Sequence, residues 1–144
     1  MNSAAPGRGF FVLVAGLGLA GRVSFAGNQA DVVPWLQATD VFSLPSYANE
    51  GVPQALMQAM ACGLPCITTD IGAIPELAQH EATALVVPPQ DVAALDLALN
   101  RLLGDAQLRQ RLGQAARDHV LAAHGRETML DRMESLFRKA CGAA

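Results

Sequence analysis

The sequence predicts an α/β fold: a three-layer, doubly wound, mostly parallel sheet followed by a helical C-terminus. Short apolar runs of about four residues alternate along the chain with segments of helical periodicity, which is the pattern of βαβ units. The apolar runs lack an alternation of polar and apolar residues, as expected for parallel strands that are covered on both faces. A proline or a glycine directly follows three of the four runs and ends them. The predicted sheet is therefore Rossmann-like, and its ligands should bind beyond the carboxyl ends of the strands.

Composition limits the function classes. The chain has 144 residues, of which 51% are hydrophobic and 16% charged, so one domain with a substantial core is expected. The net charge is −3, and no basic stripe is present to neutralise phosphates, which argues against a nucleic-acid partner. The three cysteines have neither disulfide-framework nor zinc-site spacing. Reduced thiols, no metal and a cytoplasmic location are therefore expected.

Four apolar runs are predicted to be strands: residues 23–26, 41–44, 66–69 and 84–87. Residues 1–9 should be a flexible start, and residues 10–19 a short apolar helix. Further helices are predicted at residues 31–38, from Pro53 to a stop at Gly63, and at residues 74–79. The domain itself should span residues 17–141, after an atypical or disordered N-terminus of residues 1–16.

Three more helices should complete the chain, the first two capped by Asp91 and Asp105. Apolar residues recur in them at helical spacing, which predicts core faces. The first face is Val92, Leu95, Leu99, Leu102 and Leu103. The second is Leu108, Leu112, Ala115, Ala116 and Val120. The third is Leu130, Met133, Leu136 and Phe137.

The polar loop of residues 46–53 is the most informative stretch for function. Glu50 follows a strand and can accept hydrogen bonds from ligand hydroxyls. Gly51 allows close approach of the backbone, and the N-terminus of the helix beginning at Pro53 favours a phosphate. A sugar diphosphate needs this combination. An acidic residue before a helix can equally be a simple cap, so the residues alone leave both interpretations open.

Longer motifs carry a family resemblance. They are, in order, GRVSFAG (21–27), ATDVFSLPS (38–46), EGVPQALMQAMACGLP (50–65), GAIPEL (72–77) and ALVVPP (84–89). In this order and at these spacings, from Leu17 to Phe137, the chain resembles the C-terminal domain of the family 4, or group 1, glycosyltransferases, which have the two-domain GT-B architecture. The resemblance implies transfer of a sugar from a nucleotide sugar to an acceptor, with retention at the anomeric carbon and without a metal or other cofactor.

The resemblance also implies site residues. The family signature is a Glu, seven residues and a second Glu. Glu50 matches the first and would be the catalytic residue at the donor sugar. Gln58 occupies the second position, where the family's Glu holds the ribose hydroxyls; its carbonyl oxygen still accepts, without a charge. The other implied donor-binding residues are Gly51, Val52 and Pro53 at the helix start, Asn28 and Gln29 beside the base, and Thr69 and Gly72 at the edge of the cleft.

Parts of the family pattern have no counterpart. The family's C-terminal domain begins with a strand and a glycine-containing loop, after which an Arg and a Lys grip the diphosphate; neither is found before Leu17. The acceptor-binding N-terminal domain is also missing. The resemblance therefore implies the donor-binding half of an enzyme of bacterial cell-envelope polysaccharide synthesis, cytoplasmic or peripheral at the inner membrane, that acts with an N-terminal partner domain.

One alternative to this interpretation remains open, and a second has a partial motif in its favour. The chain can be a catalytically inactive, truncated remnant that acts as an interaction or oligomerising module, self-associating through an exposed sheet edge. Gly16 to Gly21 also has the G-x-G-x-x-G spacing of dinucleotide-binding proteins. That motif requires a helix directly after the glycines, and the sequence leaves no room for one.

Overall fold

The computed structural model describes residues 8–48 and 50–142, so residues 1–7 of the predicted flexible start lie outside the described part. The chain divides into two compact units, Met1–Val32 and Val33–Ala144. The helices are α1 (Arg8–Gly16), α2 (Val33–Gln37), α3 (Gln54–Ala61), α4 (Val92–Gly104), α5 (Ala106–His124) and α6 (Arg126–Ala140), with a 3-10 turn at Ile74–Glu76. No helix in the described part is long and apolar enough to cross a membrane.

The first unit contains α1 and an irregular segment. The apolar helix predicted at residues 10–19 is present, but it begins earlier and ends at Gly16. The prediction of a strand at residues 23–26 is wrong, because the structure assigns them no strand. An apolar run becomes a strand only where a neighbouring strand supplies the ladder hydrogen bonds. No helix directly follows the glycines at 16–21, which excludes the dinucleotide motif.

The second unit is built on a parallel sheet of three strands, β1 (Phe42–Leu44), β2 (Cys66–Thr69) and β3 (Leu85–Val87), in the order β1-β2-β3. β1 aligns Phe42 with Cys66, and β2 aligns Ile67 with Leu85. These strands confirm the predictions at residues 41–44, 66–69 and 84–87 to within one residue. The parallel direction confirms the predicted fold class.

The sheet separates two apolar cores. Cys66 of β2 faces a core formed with α3 and α5, which includes Leu56 and Met60. Ile67, the next residue, faces a core formed with α4 and α5, which includes Leu102. Successive residues of a strand point to opposite faces of the sheet, so the buried central strand β2 serves both cores. This burial makes the carboxyl end of β2 a rigid support for the loops beyond it.

The α3–β2 connection is a tight turn that α5 covers. α3 ends in a Schellman motif, in which Gly63 N–H donates to Met60 O (2.9 Å) and Leu64 N–H donates to Ala59 O (3.1 Å). Gly63 has a φ of +78°, which confirms the predicted glycine stop. Gly113 of α5 lies directly on this turn, and a Cβ built there would be 2.1 Å from Gly63 O. Only glycine at position 113 therefore permits this close packing.

A second contact ties the loop before β3 to α4 and α5. Glu81 has a left-handed φ of +61°. Its Oε1 accepts from Arg101 Nη1 at 2.6 Å, and its carbonyl oxygen accepts from Arg111 Nη1 at 2.9 Å. The hydrogen bond from Arg101 lowers the pKa of the Glu81 carboxyl. Both contacts are exposed, so they contribute little to stability. They connect the loop before β3 to α4 and to α5.

The predicted helix faces are only partly buried. The α5 face is confirmed, with Leu112, Ala116 and Val120 buried. On α4, Val92 and Leu103 are exposed, contrary to the prediction. The α6 face is also exposed: Leu130, Met133, Leu136 and Phe137 are 44–65% accessible. α6 packs chiefly on α5, so helical periodicity correctly indicated an amphipathic helix but could not show whether a second surface covers it.

The predicted aspartate caps are confirmed, and they allow a stability test. Asp91 Oδ1 accepts from Ala94 N–H and Asp105 Oδ1 from Leu108 N–H, both at 2.9 Å. Asp105→Ala is expected to lower the free energy of unfolding by about 1 kcal/mol, because it leaves an N-terminal N–H of α5 without its acceptor. Urea unfolding measures the loss. Asp105→Asn keeps an acceptor and should retain most of the stability; equal losses in the two variants would contradict the capping role.

Candidate functional site

Two loops meet at the carboxyl edge of the sheet, as the parallel topology requires. One follows β1 and carries Glu50, and the other follows β2 and carries Gly72. Ala73 N–H donates to Glu50 O at 3.1 Å, which joins the loops. Gly72 has a φ of +60°, and a Cβ there would lie 2.0 Å from Glu50 O. The structure thus brings the predicted residues Glu50 and Gly72 into direct contact.

The Glu50 side chain is half-buried, and one of its oxygens is held in place. Its Oε1 accepts a hydrogen bond from Ser46 Oγ at 3.0 Å. No second hydrogen-bond donor to this carboxylate is found among the described residues. Sequence reasoning missed the role of Ser46. The available signal was a hydroxyl residue directly after the proline that ends β1, four residues before the acidic residue.

Thr69 lies behind Ser46. Its hydroxyl donates to Ser46 O at 2.8 Å, and the residue is 1% exposed. The neighbouring Thr68 is equally buried and donates to Leu44 O at 3.1 Å. The Thr69 side chain thus faces the backbone of the Glu50 loop and not the surface, and its place in a donor site stays a prediction.

The N-terminus of α3 follows Glu50 closely. Gly51 and Val52 are exposed, whereas Pro53 is buried. Pro53 occupies the cap position, one residue before the helix, and not the predicted first helical position. Proline has no side-chain acceptor, and no other side chain of the described residues caps the first N–H groups of α3. Uncapped N–H groups at the positive end of the helix dipole favour a bound anion.

The remaining predicted site residues are less constrained. Gln58 lies in the second turn of α3 and is exposed, and its side chain makes no hydrogen bond to the described residues. Asn28 and Gln29 belong to the first unit. Gln29 Nε2 donates to Ala26 O, within its own loop, and Asn28 is exposed. Their contacts to a nucleotide stay predictions.

A depression of about 290 Å³ opens beside the carboxylate. It is lined by Leu44, Pro45, Ser46, Tyr47, Ala48 and Glu50. Tyr47 is 72% exposed, so the depression combines an aromatic ring with a carboxylate acceptor. Such a pair can stack against an apolar ring face and accept hydrogen bonds from hydroxyls, which is the chemistry that sugars offer.

Two other kinds of chemistry are metal binding and the reactivity of the Cys66 thiol. Within the described ranges, no three His, Cys, Asp or Glu side chains are grouped to hold a metal ion. Burial raises the pKa of the Cys66 thiol to about 12, so this thiol stays protonated at physiological pH. The Glu50 carboxylate and the start of α3 offer hydrogen bonding and electrostatic interactions to a ligand.

Known proteins share this arrangement of motifs. A family model described as "Glycosyl transferases group 1" matches residues 8–105. N-acetyl-alpha-D-glucosaminyl L-malate synthase of Bacillus anthracis is 34% identical over 125 residues, which are 87% of this chain and 32% of that protein. The chain thus spans about a third of the length of this curated relative.

Solved structures agree. Sucrose-phosphate synthase of Thermosynechococcus elongatus has a TM-score of 0.87 and 34% identity, with 95% of this chain and 35% of that one covered. HepE of Anabaena, solved with UDP-glucose, has a TM-score of 0.79 over 89% of this chain and 36% of its own; at 23% identity the likeness shows the fold alone. The chain therefore belongs to the group 1 glycosyltransferase family, with the Rossmann-like sheet of its GT-B members.

Proposed function

We propose that this chain binds the nucleotide-sugar donor of a glycosyltransferase, with Glu50 as its catalytic carboxylate. One observation carries the proposal: the half-buried Glu50 carboxylate, which accepts a hydrogen bond from Ser46, lies directly before the N-terminus of α3, where Pro53 provides no side-chain cap. A nucleotide sugar needs a hydroxyl acceptor and an anion site side by side, and this edge of the sheet supplies both.

Each part of the donor has a proposed contact. The Glu50 carboxylate accepts from the sugar hydroxyls, and the backbone of Gly51 and Val52 lies along the sugar and the diphosphate. The N–H groups after Pro53 face the phosphates, whose charge the helix dipole stabilises. Gln58 accepts from the ribose through its carbonyl oxygen. Because glutamine is uncharged, this bond is weaker than one to a carboxylate.

The stereochemistry, the acceptor and the location of the proposed transfer are inferred from the family resemblance. The sugar is transferred with retention at the anomeric carbon and without a metal, to an acceptor of cell-envelope polysaccharide synthesis at the cytoplasmic side of the inner membrane. Asn28 and Gln29 border the base. The acceptor is held by an N-terminal partner domain, so the chain by itself binds donor without transferring sugar.

Calorimetric titration of the purified chain with UDP, GDP, ADP and UDP-glucose tests the proposal. Binding of one nucleotide at about millimolar affinity or better, and of its sugar conjugate more tightly, is the expected result. The nucleotide preferred would identify the base. Absence of binding by all four ligands at millimolar concentration would contradict the donor-binding function.

A second candidate function is self-association. β1 and β3 each pair only with β2 among the described strands, which leaves both edges of the parallel sheet without a strand partner. The apolar face of α6 is exposed as well. Size-exclusion chromatography with light scattering would show dimers or larger species. A monomer at the highest soluble concentration would count against this function.

A further inference from the structure

We infer that Thr69 and Gly72 are positioning residues that hold Glu50 in its donor-binding conformation, and that the buried Thr69 side chain acts without contacting the donor. The inference deepens the proposed function and depends on it for the identity of the ligand. It changes the role of two residues that the family resemblance would place at the edge of the donor cleft.

The first line of contact starts from Thr69. Its hydroxyl donates to Ser46 O at 2.8 Å, and Ser46 Oγ donates to Glu50 Oε1 at 3.0 Å. At 1% exposure Thr69 has almost no surface to offer a ligand. Its hydrogen bond fixes the Ser46 backbone, and the Ser46 hydroxyl then sets the orientation of the carboxylate.

The second line holds the backbone of Glu50. Ala73 N–H donates to Glu50 O at 3.1 Å, and Gly72 packs so closely that a Cβ would lie 2.0 Å from the same oxygen. The first line starts at Thr69, the last residue of the buried strand β2, and the second starts in the loop that follows this strand. Glu50 is thus held through its side chain and through its backbone, which is the arrangement that positions a functional group.

The two lines have a consequence for binding. The hydrogen bond from Ser46 to Oε1 restricts the orientation of the carboxylate before any ligand binds. A preordered acceptor does not lose side-chain freedom when the ligand arrives, so binding is tighter. This gain in affinity concerns only the sugar, which is the part of the donor that Glu50 contacts in the proposed site. Loss of positioning should therefore weaken binding of a nucleotide sugar and leave the bare nucleotide unaffected.

Matched variants separate positioning from general destabilisation. Thr69→Val keeps the shape and removes the hydroxyl, whereas Thr69→Ser keeps the hydroxyl. Thr83→Val is the control, because Thr83 is also buried, at 6% exposure, and its hydroxyl donates to Leu77 O, away from Glu50. Gly72→Ala provides a second test, with Gly104→Ala as control because a Cβ at Gly104 meets nothing within 4 Å.

Amide hydrogen exchange of the ligand-free chain, read by NMR, is the first measurement. Exchange at Ala73 should be about tenfold faster in Thr69→Val and Gly72→Ala than in their controls, because its N–H bond to Glu50 O opens locally. Thr69→Ser should remain close to the parent chain. Equal exchange at Ala73 in Thr69→Val and Thr83→Val would overturn the inference.

Calorimetry is the second measurement. In Thr69→Val, affinity for UDP-glucose should fall about tenfold, because the hydrogen bond between the sugar and the charged Glu50 carboxylate is no longer held in place. Affinity for UDP should stay unchanged. Equal loss for both ligands would overturn the positioning role. If the parent chain binds no nucleotide, the proposed function fails, and the exchange result alone decides whether Thr69 and Gly72 hold Glu50.

Discussion

Alanine at position 113 is expected to lower the free energy of unfolding by about 3 kcal/mol, the upper end of the usual overpacking cost. The new Cβ would lie 2.1 Å from Gly63 O and 3.5 Å from the Leu64 carbonyl carbon. Both are backbone atoms in the Schellman turn, so no side-chain rotation relieves the clash. α5 must move away from α3, which opens the core around Met60. Urea unfolding followed by circular dichroism measures the effect.

The sign of this change is informative because helix propensity acts in the opposite direction. Glycine to alanine inside a helix normally stabilises by about 1 kcal/mol. Gly104→Ala in α4 is the matched control, since open space surrounds its Cβ position and stability should not fall. A gain in stability for Gly113→Ala would contradict the close contact between α5 and the turn.

Glu50→Ala is expected to weaken binding of UDP-glucose by about tenfold or more, because hydrogen bonds to a charged acceptor are the strong ones. Binding of UDP should change less, since the nucleotide contacts lie elsewhere in the proposed site. Titration calorimetry with UDP-glucose and with UDP gives, for each ligand, the ratio of the dissociation constants of the variant and the parent chain. In this variant the Ser46 hydroxyl loses the carboxylate that accepts its hydrogen bond. The variant should still fold, because Glu50 is only half-buried.

Glu76→Ala serves as the control for charge. Glu76 is exposed in the 3-10 turn, and its removal changes the net charge by the same amount. It should leave UDP-glucose affinity unchanged. An equal fall in affinity for both variants would mean that the general field of the molecule, and not a contact by Glu50, governs binding.

Local signals predicted the features that depend on a few neighbouring residues. Apolar runs located β1, β2 and β3 almost exactly, and Gly63 marked the end of α3 because its left-handed conformation favours glycine. The aspartate caps of α4 and α5 follow from the same short-range chemistry. The polar loop with Glu50 was found because parallel strands direct their following loops to one edge.

Features that need a distant partner were not predictable in this way. Residues 23–26 have strand composition, but no strand pairs with them in the described structure. The face of α6 has core periodicity without a core around it. The hydrogen bond from Thr69 to Ser46 O joins residues 23 apart, and nothing in either segment specifies the other. Sequence analysis therefore found Glu50 but not the residues that hold it.

The contact between α5 and the turn after α3 also affects how the chain folds during synthesis. Arg117 of α5 donates to Ala61 O across 56 residues of sequence. At ribosomal rates of about 5–20 residues per second, α5 follows that turn by roughly 3–11 s. Over this interval the buried face of α3, with Leu56 and Met60, lacks the helix that covers it in the finished fold. The strands and loops around Glu50 are complete early, but this half of the domain becomes stable only when α5 emerges, so the nascent chain exposes an apolar surface for chaperones to bind.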